Sequence, residues 1–281
     1  MKKRESDGPL TLAEVRECLE RSGYLLESRL VSGLTGMGFF VEPNQVLRDS
    51  RTGKSREIDL VAEFYNWNKD HDRVCVKSYF VVEAVNNKYP LVLTTQRPNT
   101  PNSGSENYLK CATTLPKIAW DEKLDYWSGK EVDWNDIYSQ YCVLTRKNNS
   151  AELMATHPED LYSSLQKLCE YVEAELSHWS ERENEDEPKF WRIFYWRPTL
   201  VLSGELYRAK INGLGKLQLS RASSGYLEFN WHDAEYRCTA LVEVITEAAF
   251  FDRVAEVIAQ DATTEESLHA LRVSRDSRGA T

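Results

Sequence analysis

The sequence predicts a mixed α/β (α+β) fold, with a central β-sheet flanked by helices and a strand-rich region towards the C-terminus. Three observations predict this class. Apolar residues recur at helical spacing near the start of the chain and again after His157. Apolar and alternating runs between these helices are typical of strands. A second series of short strand-like runs follows Pro188 and ends in a helix predicted from Ala248 to Gln260.

The first elements are predicted to be helical. Thr11 and Glu14 have the spacing of a capping box, in which the two side chains bond to backbone amides at a helix start. A second helix is predicted from Tyr24 to about Leu34, with leucines every fourth residue on one face. Glu27 lies beside this apolar stripe.

A β-hairpin is predicted next, from strands at residues 41–48 and 56–65 with a polar, glycine-containing turn between them. Because side chains alternate along a strand, Glu57, Asp59 and Glu63 share one face of the second strand. This face therefore presents a row of carboxylates.

The third strand, residues 74–85, is apolar enough for a central position in the sheet. It nevertheless contains Glu83, and burying an unpaired carboxylate is unfavourable. Glu83 is therefore expected to have a partner or a function. The segment 94–105, rich in Pro, Asn, Thr and Ser, predicts a long surface loop.

The chain is predicted to divide into a first domain at residues 1–180 and a strand-rich region at 189–262. The acidic run 181–187 between them is typical of a solvated linker. The polar segment 263–281 is expected to form a frayed tail.

Composition limits the function classes. No apolar run approaches the roughly 20 residues that a membrane-spanning helix needs, and no apolar segment follows the basic N-terminus, so we expect a cytoplasmic protein without membrane contact. The six cysteines form no metal-binding or disulfide pattern. The net charge of -9 requires that any nucleic-acid contact rest on a local basic patch or on bridging metal ions.

Two conspicuous segments have simple structural interpretations. The aromatic run Phe190, Trp191, Phe194, Tyr195 and Trp196 is predicted to pack in the core rather than to stack on nucleic-acid bases. The segment 213–216 lacks the pattern of a phosphate-binding loop and predicts a hairpin turn.

The order of a helix with Glu27, a strand with Asp59 and a following strand with Glu83 resembles the PD-(D/E)XK, or restriction-endonuclease-like, nuclease superfamily. The resemblance spans residues 25–171 approximately. It implies a restriction-endonuclease-like mixed sheet and Mg²⁺-dependent cleavage of DNA, with restriction or phage defence as the expected context. It also implies that Glu27, Asp59, Glu83 and the backbone carbonyl of Ala84 surround Mg²⁺, with Mn²⁺ as an alternative ion.

The chain departs from the superfamily pattern at Val85, which occupies the place of the lysine in the E-x-K triplet. Loss of a positioned acid-base group typically lowers a rate by about 10²- to 10⁴-fold. Lys88 is the nearest amine that can take this catalytic role, and a surface turn lysine is the equally weighted alternative. Lys77 lies further along the face of Glu83.

Two functions stay open at this level. The first is a metal-dependent endonuclease that uses Asp59, Glu83 and Lys88. The second is a catalytically impaired module of the same fold that binds nucleic acid or a protein partner without cleavage. A structural protein without any metal affinity is a third class, separated from both by the absence of a metal-dependent thermal shift.

Overall fold

The computed structural model of the protein describes residues 9–22, 24–48, 53–71, 73–97, 110–115, 136–146, 152–180, 189–232 and 237–278. The helices within these residues are α1 (Leu12–Arg21), α2 (Tyr24–Gly36), α3 (Glu159–Ser180) and α4 (Glu247–Arg278). The strands are β1 (Phe40–Arg48), β2 (Ser55–Asn66), β3 (Val74–Val85), β4 (Leu91–Gln96), β5 (Lys110–Thr113), β6 (Ile137–Arg146), β7 (Leu153–Thr156), β8 (Trp191–Leu202), β9 (Leu206–Ile211), β10 (Leu217–Ala222), β11 (Ser224–His232) and β12 (Arg237–Thr246).

All of these strands belong to one mixed sheet. Its order is β1-β2-β3-β8-β12-β11-β6-β4-β9-β10, with β5 beside β8 and β7 beside β6. The first three strands are antiparallel, whereas β8 runs parallel to both β3 and β12. The mixed α+β class predicted from the sequence is therefore confirmed.

Helices cover both faces of the first half of the sheet. Phe80 and Val82 of β3 pack in one apolar cluster with α2 and α4, whereas Val81 packs in another with α3. Successive strand side chains point to opposite faces, so the nearly continuous apolar run of β3 supplies both layers. This arrangement places β3 at the centre of three layers.

The local elements follow the sequence pattern closely. The capping box is present, because the Thr11 hydroxyl accepts a hydrogen bond from the N–H of Glu14, whose carboxylate accepts one from the N–H of Thr11. The third predicted strand has the same bounds as β3. The predicted loop at 94–105 differs in its first residues, since 94–96 belong to β4, and residues 98–105 lie outside the described part of the chain.

The region after Pro188 completes the same sheet instead of forming a separate layer. Strand β8 pairs with β3 along its whole length, from Val74 beside Trp191 to Val85 beside Leu202. The proposed linker at 181–187 lies outside the described residues. A strand as apolar as β8 is stable only with neighbours on both edges and cover on both faces, which explains the joint sheet.

The C-terminal segment differs from the frayed tail predicted for 263–281, because α4 continues as a helix to Arg278. Two of its acids have partners elsewhere in the chain: Asp261 accepts from Arg197 at 2.8 Å, and Glu265 contacts Nδ1 of His71 at 2.9 Å. Leu268 of the same helix is fully buried in an apolar cluster with residues of β3 and β8. These long-range contacts stabilise a helix whose own sequence predicts exposure.

The aromatic run of β8 confirms the core interpretation. Trp191, Phe194, Tyr195 and Trp196 are buried, and only Phe190, before the strand, is 40% exposed. Among the described residues, no helix is long and apolar enough to cross a membrane.

Gly33 allows α2 to approach α4 closely. A Cβ at this position would lie 2.3 Å from ring carbons of Phe251, whereas a Cβ at Gly36 would meet nothing within 4 Å. We expect Gly33→Ala to lower the free energy of unfolding by about 1–3 kcal/mol through overpacking. Gly36→Ala, the matched control in the same helix, should be neutral or stabilising by up to about 1 kcal/mol, because alanine favours helix. Urea unfolding of both variants measures the difference, and equal losses would contradict the close approach.

Candidate functional site

Asp59 and Glu83 lie together at one end of neighbouring strands. Strands β2 and β3 pair antiparallel with Leu60 opposite Val82, and the two acids follow this pair at the same end. The N–H of Ala84 donates a hydrogen bond of 2.7 Å to Oδ2 of Asp59. The start of β2 therefore holds its carboxylate directly against the end of β3.

The two carboxylates face the layer formed by α3. Their strand neighbours of the same parity, Val61 and Val81, belong to the apolar cluster that includes Leu165 and Leu168 of α3. Residues of equal parity in a strand share a face. Asp59 and Glu83 are thus on one side of the sheet, as a shared cation requires.

Lys167 of α3 reaches this pair of acids. Its Nζ lies 2.8 Å from Oε1 of Glu83 and donates a hydrogen bond of 2.8 Å to the backbone carbonyl of Glu57. Glu83 is only 3% exposed, so its negative charge has little access to water. The lysine supplies the positive charge that a buried carboxylate needs.

One oxygen of Glu83 keeps bonding capacity. Oε1 receives no hydrogen bond of good geometry from the described residues, although the Lys167 ammonium lies close to it. Buried carboxylate oxygens are normally hydrogen-bonded. An oxygen in this condition is suited to a further ligand.

The environment of Glu83 favours its neutral form. Burial, together with the charge of Asp59, raises the pKa of Glu83 to about 7, although contacts with Lys167 and Ser164 oppose the shift. Removal from water disfavours a carboxylate more than one nearby lysine compensates. The carboxyl group of Glu83 therefore gains or loses its proton near neutral pH.

Asp59 and Glu27 belong to the same electrostatic group. Burial raises the pKa of Asp59, while the Ala84 N–H and the charge of Lys167 lower it. Burial also raises the pKa of Glu27, and the charges of Asp59 and Lys167 act on it in opposite directions. Glu27 reaches the group from α2, on the other side of the sheet from α3.

The raised pKa of Glu83 predicts that the stability of the folded protein falls as the pH rises towards neutrality. Between 4.5, the ordinary value, and about 7, the folded protein keeps a proton on Glu83 that the unfolded chain releases. Rising pH therefore favours unfolding through this window. We expect the metal-free protein to lose stability from pH 5 towards pH 7 more steeply than Glu83→Gln, by urea unfolding in EDTA.

The matched control for this pH dependence is Glu63→Gln, which changes an acid of β2 that pairs with Lys77 at 2.6 Å. The stability of Glu63→Gln should depend on pH between 5 and 7 in the same way as that of the wild type. Parallel stability curves for the wild type and Glu83→Gln would contradict the assignment.

Lys88 lies three residues beyond the end of β3. Its side chain is exposed beyond the end of β3, with Nζ 5.7 Å from the ring centroid of Tyr89. Lys77 pairs with Glu63, several residues from Glu83 along β3. Val85 packs against the apolar cluster on the α3 side, and Ala84 contacts Asp59 through its N–H.

Sequence reasoning missed Lys167, which lies in another helix far along the chain. A signal was nevertheless present. Ser164 and Lys167 form a short polar stripe beside the buried residues Leu165 and Leu168, at the three-residue spacing of one helical face. A buried acid such as Glu83 needs a positively charged partner, and a lysine on the inward face of an amphipathic helix can provide one.

The donor set fits a hard divalent cation in part. Asp59 and Glu83 supply carboxylate oxygens from adjacent strand ends, and one buried oxygen of Glu83 lacks an aligned donor. Mg²⁺ is commonly held by one or two carboxylates, with water and substrate phosphate completing its shell. Within the described residues, no group of three or more His, Cys, Asp or Glu side chains is placed to hold a metal.

Neither a scan of protein-family models nor searches of curated proteins and of solved structures found a match to this chain. The chemistry of the site therefore rests on its own geometry and charges.

Proposed function

We propose that this protein is a metal-dependent endonuclease that cleaves phosphodiester bonds of DNA at the site formed by Asp59, Glu83 and Lys167. The observation that supports it most directly is the contact between Nζ of Lys167 and the buried carboxylate of Glu83, at 2.8 Å. Two acids at adjacent strand ends with a lysine beside them are the residue types that the PD-(D/E)XK superfamily uses.

The order of elements supports the same proposal. The helix α2, the antiparallel strands β1, β2 and β3, the helix α3 and the parallel strand β8 form one layered unit around the acids. We propose a restriction-endonuclease-like fold for this unit. In it, the lysine comes from α3 instead of the third position of the triplet, where Val85 packs against the core.

In this proposal Asp59 and Glu83 hold Mg²⁺ or Mn²⁺. When bound, such an ion neutralises charge on the phosphoryl oxygens and lowers the pKa of the attacking water. The N–H of Ala84 fixes the orientation of the Asp59 carboxylate. Glu27, on the opposite side, contributes negative charge and acts through water rather than as a direct ligand.

Lys167 provides what Val85 cannot. Its ammonium is held between the Glu83 carboxylate and the carbonyl of Glu57, so its position is set by two contacts from two different strands. A fixed donor and positive charge beside the scissile phosphate stabilises negative charge as it develops. The same contacts keep Glu83 ionised more readily, which favours metal binding over protonation.

The direct test is nicking of supercoiled plasmid DNA by the full chain in Mg²⁺ or Mn²⁺, compared with EDTA. We expect cleavage only with the metal, together with a metal-dependent rise in melting temperature, because a ligand of the folded state stabilises it. Absence of both effects would contradict the proposal.

A non-cutting module of the same fold is the second candidate. It is favoured by Val85 at the lysine position and by the lack of a third grouped metal ligand among the described residues. It predicts that the wild type binds DNA or a protein partner without cleavage, and that Val85→Lys restores cutting. Cleavage by the wild type excludes it.

A further inference from the structure

The outer half of the hairpin formed by β9 and β10 has little cover on either face, whereas Leu206 to Arg208 of β9 pair with β4 in the sheet. Strand β10 is the last in the sheet order and pairs only with β9 among the described strands. Every residue from Gly213 to Arg221 is exposed, and Leu214 at the tip is 81% exposed. A soluble protein rarely exposes so many adjacent apolar side chains without a binding role.

The exposed apolar residues lie on both strands and at the tip. They are Ile211, Leu214, Leu217 and Leu219. Because these side chains remain largely exposed to solvent, they contribute little hydrophobic free energy to folding.

The same hairpin is basic in an acidic protein. Residues 206–222 contain Arg208, Lys210, Lys216 and Arg221 and no acidic residue, whereas the whole chain has a net charge of -9. Arg208 and Arg221 pair with Asp136 and Glu205 near the base of the hairpin. Within the part of the chain that the structure describes, Lys210 and Lys216 have no ion-pair partner and lie towards the tip.

The tip is held in one conformation. Oδ1 of Asn212 accepts hydrogen bonds from the N–H groups of Leu214 and Lys216, and Gly215 adopts a φ of +73° that an L side chain rarely allows. The N–H of Gly215 also donates to the carbonyl of Asn212. Leu214 and Lys216 are thus presented without a large ordering cost on binding.

The base of the hairpin adjoins the end of the sheet that holds Glu83. Strand β9 begins shortly after β8 ends, and the N–H of Ser203 between them donates to the carbonyl of Val85 at 3.0 Å. The N–H of Gly204 donates to Oδ1 of Asn87 at 2.8 Å. The six residues of β9 then extend about 20 Å from this base at the rise of a strand.

We propose that the β9–β10 hairpin binds duplex DNA by inserting into its major groove, with Lys210 and Lys216 on the phosphates and Leu214 against the base edges. The choice of DNA rests on the proposed endonuclease function. The major groove, about 12 Å wide, admits a two-stranded β-ribbon. The basic charge complements phosphate, and the apolar tip complements thymine methyl groups.

The charge of the hairpin also favours DNA over a second copy of the chain as its binding partner. An exposed edge strand such as β10 can pair with the same strand of another molecule. In that pairing Lys216 and Arg221, near the two ends of β10, would approach the same residues of the other copy, and like charges directly opposite are destabilising. A polyanion has no such penalty.

The test is binding of a short fluorescein-labelled DNA duplex by the full chain in EDTA, measured by fluorescence anisotropy over a series of salt concentrations. Lys210→Gln with Lys216→Gln is expected to weaken binding about tenfold and to reduce the slope of log affinity against log salt by about 2. Leu214→Ala should weaken binding with an unchanged slope, because it removes no charge. Circular dichroism confirms the fold of each variant.

The matched control is Lys69→Gln with Lys189→Gln, which removes the same charge. Both lysines are exposed and precede β3 and β8, at the end of the sheet opposite Glu83. This variant should keep most of the wild-type affinity.

The proposal is overturned if the wild type does not bind the duplex or if the hairpin and control variants bind equally. It is also overturned if light scattering shows a dimer that the hairpin variant dissociates while DNA affinity stays unchanged. Because binding is measured without metal, failure of cleavage with intact hairpin-dependent binding would contradict only the endonuclease proposal. Cleavage without a hairpin effect would contradict only the hairpin proposal.

Discussion

Replacing Lys167 by methionine is expected to lower the rate of metal-dependent DNA cleavage by about 10²- to 10⁴-fold, the usual effect of losing a positioned catalytic group. Methionine keeps most of the length and packing of the lysine stem but removes the ammonium that lies 2.8 Å from Oε1 of Glu83. Rates from plasmid nicking, expressed per folded molecule, measure the loss.

The same substitution should also shift the pH dependence of metal binding. Lys167 lowers the pKa of Glu83 in the wild type, so its loss raises that pKa further above its ordinary range. A carboxylate must be ionised to bind a cation. Metal titrations by calorimetry should therefore show tight binding beginning at a higher pH in Lys167→Met than in the wild type.

Lys77→Met is the matched control for Lys167→Met. Lys77 also pairs with an acid on this strand pair, Glu63 at 2.6 Å, but it lies away from Asp59 and Glu83. It should lose stability without a change in the cleavage rate of the folded fraction. Equal cleavage rates for Lys167→Met and the wild type would remove Lys167 from the catalytic group.

Substituting the acids themselves is expected to have the largest effect. Asp59→Asn and Glu83→Gln each remove a charged oxygen ligand while keeping the side-chain shape, and we expect a loss of about 10³-fold or more in cleavage, equivalent to about 4 kcal/mol in the barrier. Both variants should also lose the metal-dependent rise in melting temperature. Glu27→Gln should have a smaller effect, because Glu27 reaches the group from the other face.

Two readouts separate lost catalysis from lost folding in these acid variants. Glu83→Gln removes the buried charge, so the metal-free variant should be at least as stable as the wild type near neutral pH. Glu63→Gln, in the same strand as Asp59, should keep cleavage and the thermal shift. Persistent metal-dependent cleavage in both Asp59→Asn and Glu83→Gln would place the chemistry elsewhere in the chain.

The predictions from the sequence agree best with the structure for features that depend only on neighbouring residues. The capping box of α1 and the bounds of β3 need only neighbouring residues, because caps and strand alternation are short-range properties. The adjacency of Asp59 and Glu83 also follows from sequence, since a hairpin and a third antiparallel strand bring these positions side by side. The sequence pattern therefore predicts the positions of these two acids relative to each other.

The contact between Lys167 and Glu83 cannot be predicted from the local sequence pattern. Lys88 is close to Glu83 in sequence, and its exposed side chain places Nζ 5.7 Å from the ring centroid of Tyr89. Lys167 is far away in sequence and reaches Glu83 because α3 packs across β2 and β3. Only the packing of a helix on a sheet determines which lysine meets the buried acid.

By itself, the sequence determined the mixed class, most of the strand and helix positions, and the two acids at adjacent strand ends. The tertiary structure decided the rest: β8 joins β3 in one sheet, α4 continues through a polar segment, and Lys167 faces Glu83. Each of these depends on a partner distant in the chain, such as Arg197 for Asp261. The free energy of burying apolar strand faces and of pairing buried charges depends on these distant partners. The local periodicity of the sequence does not reveal which residues they are.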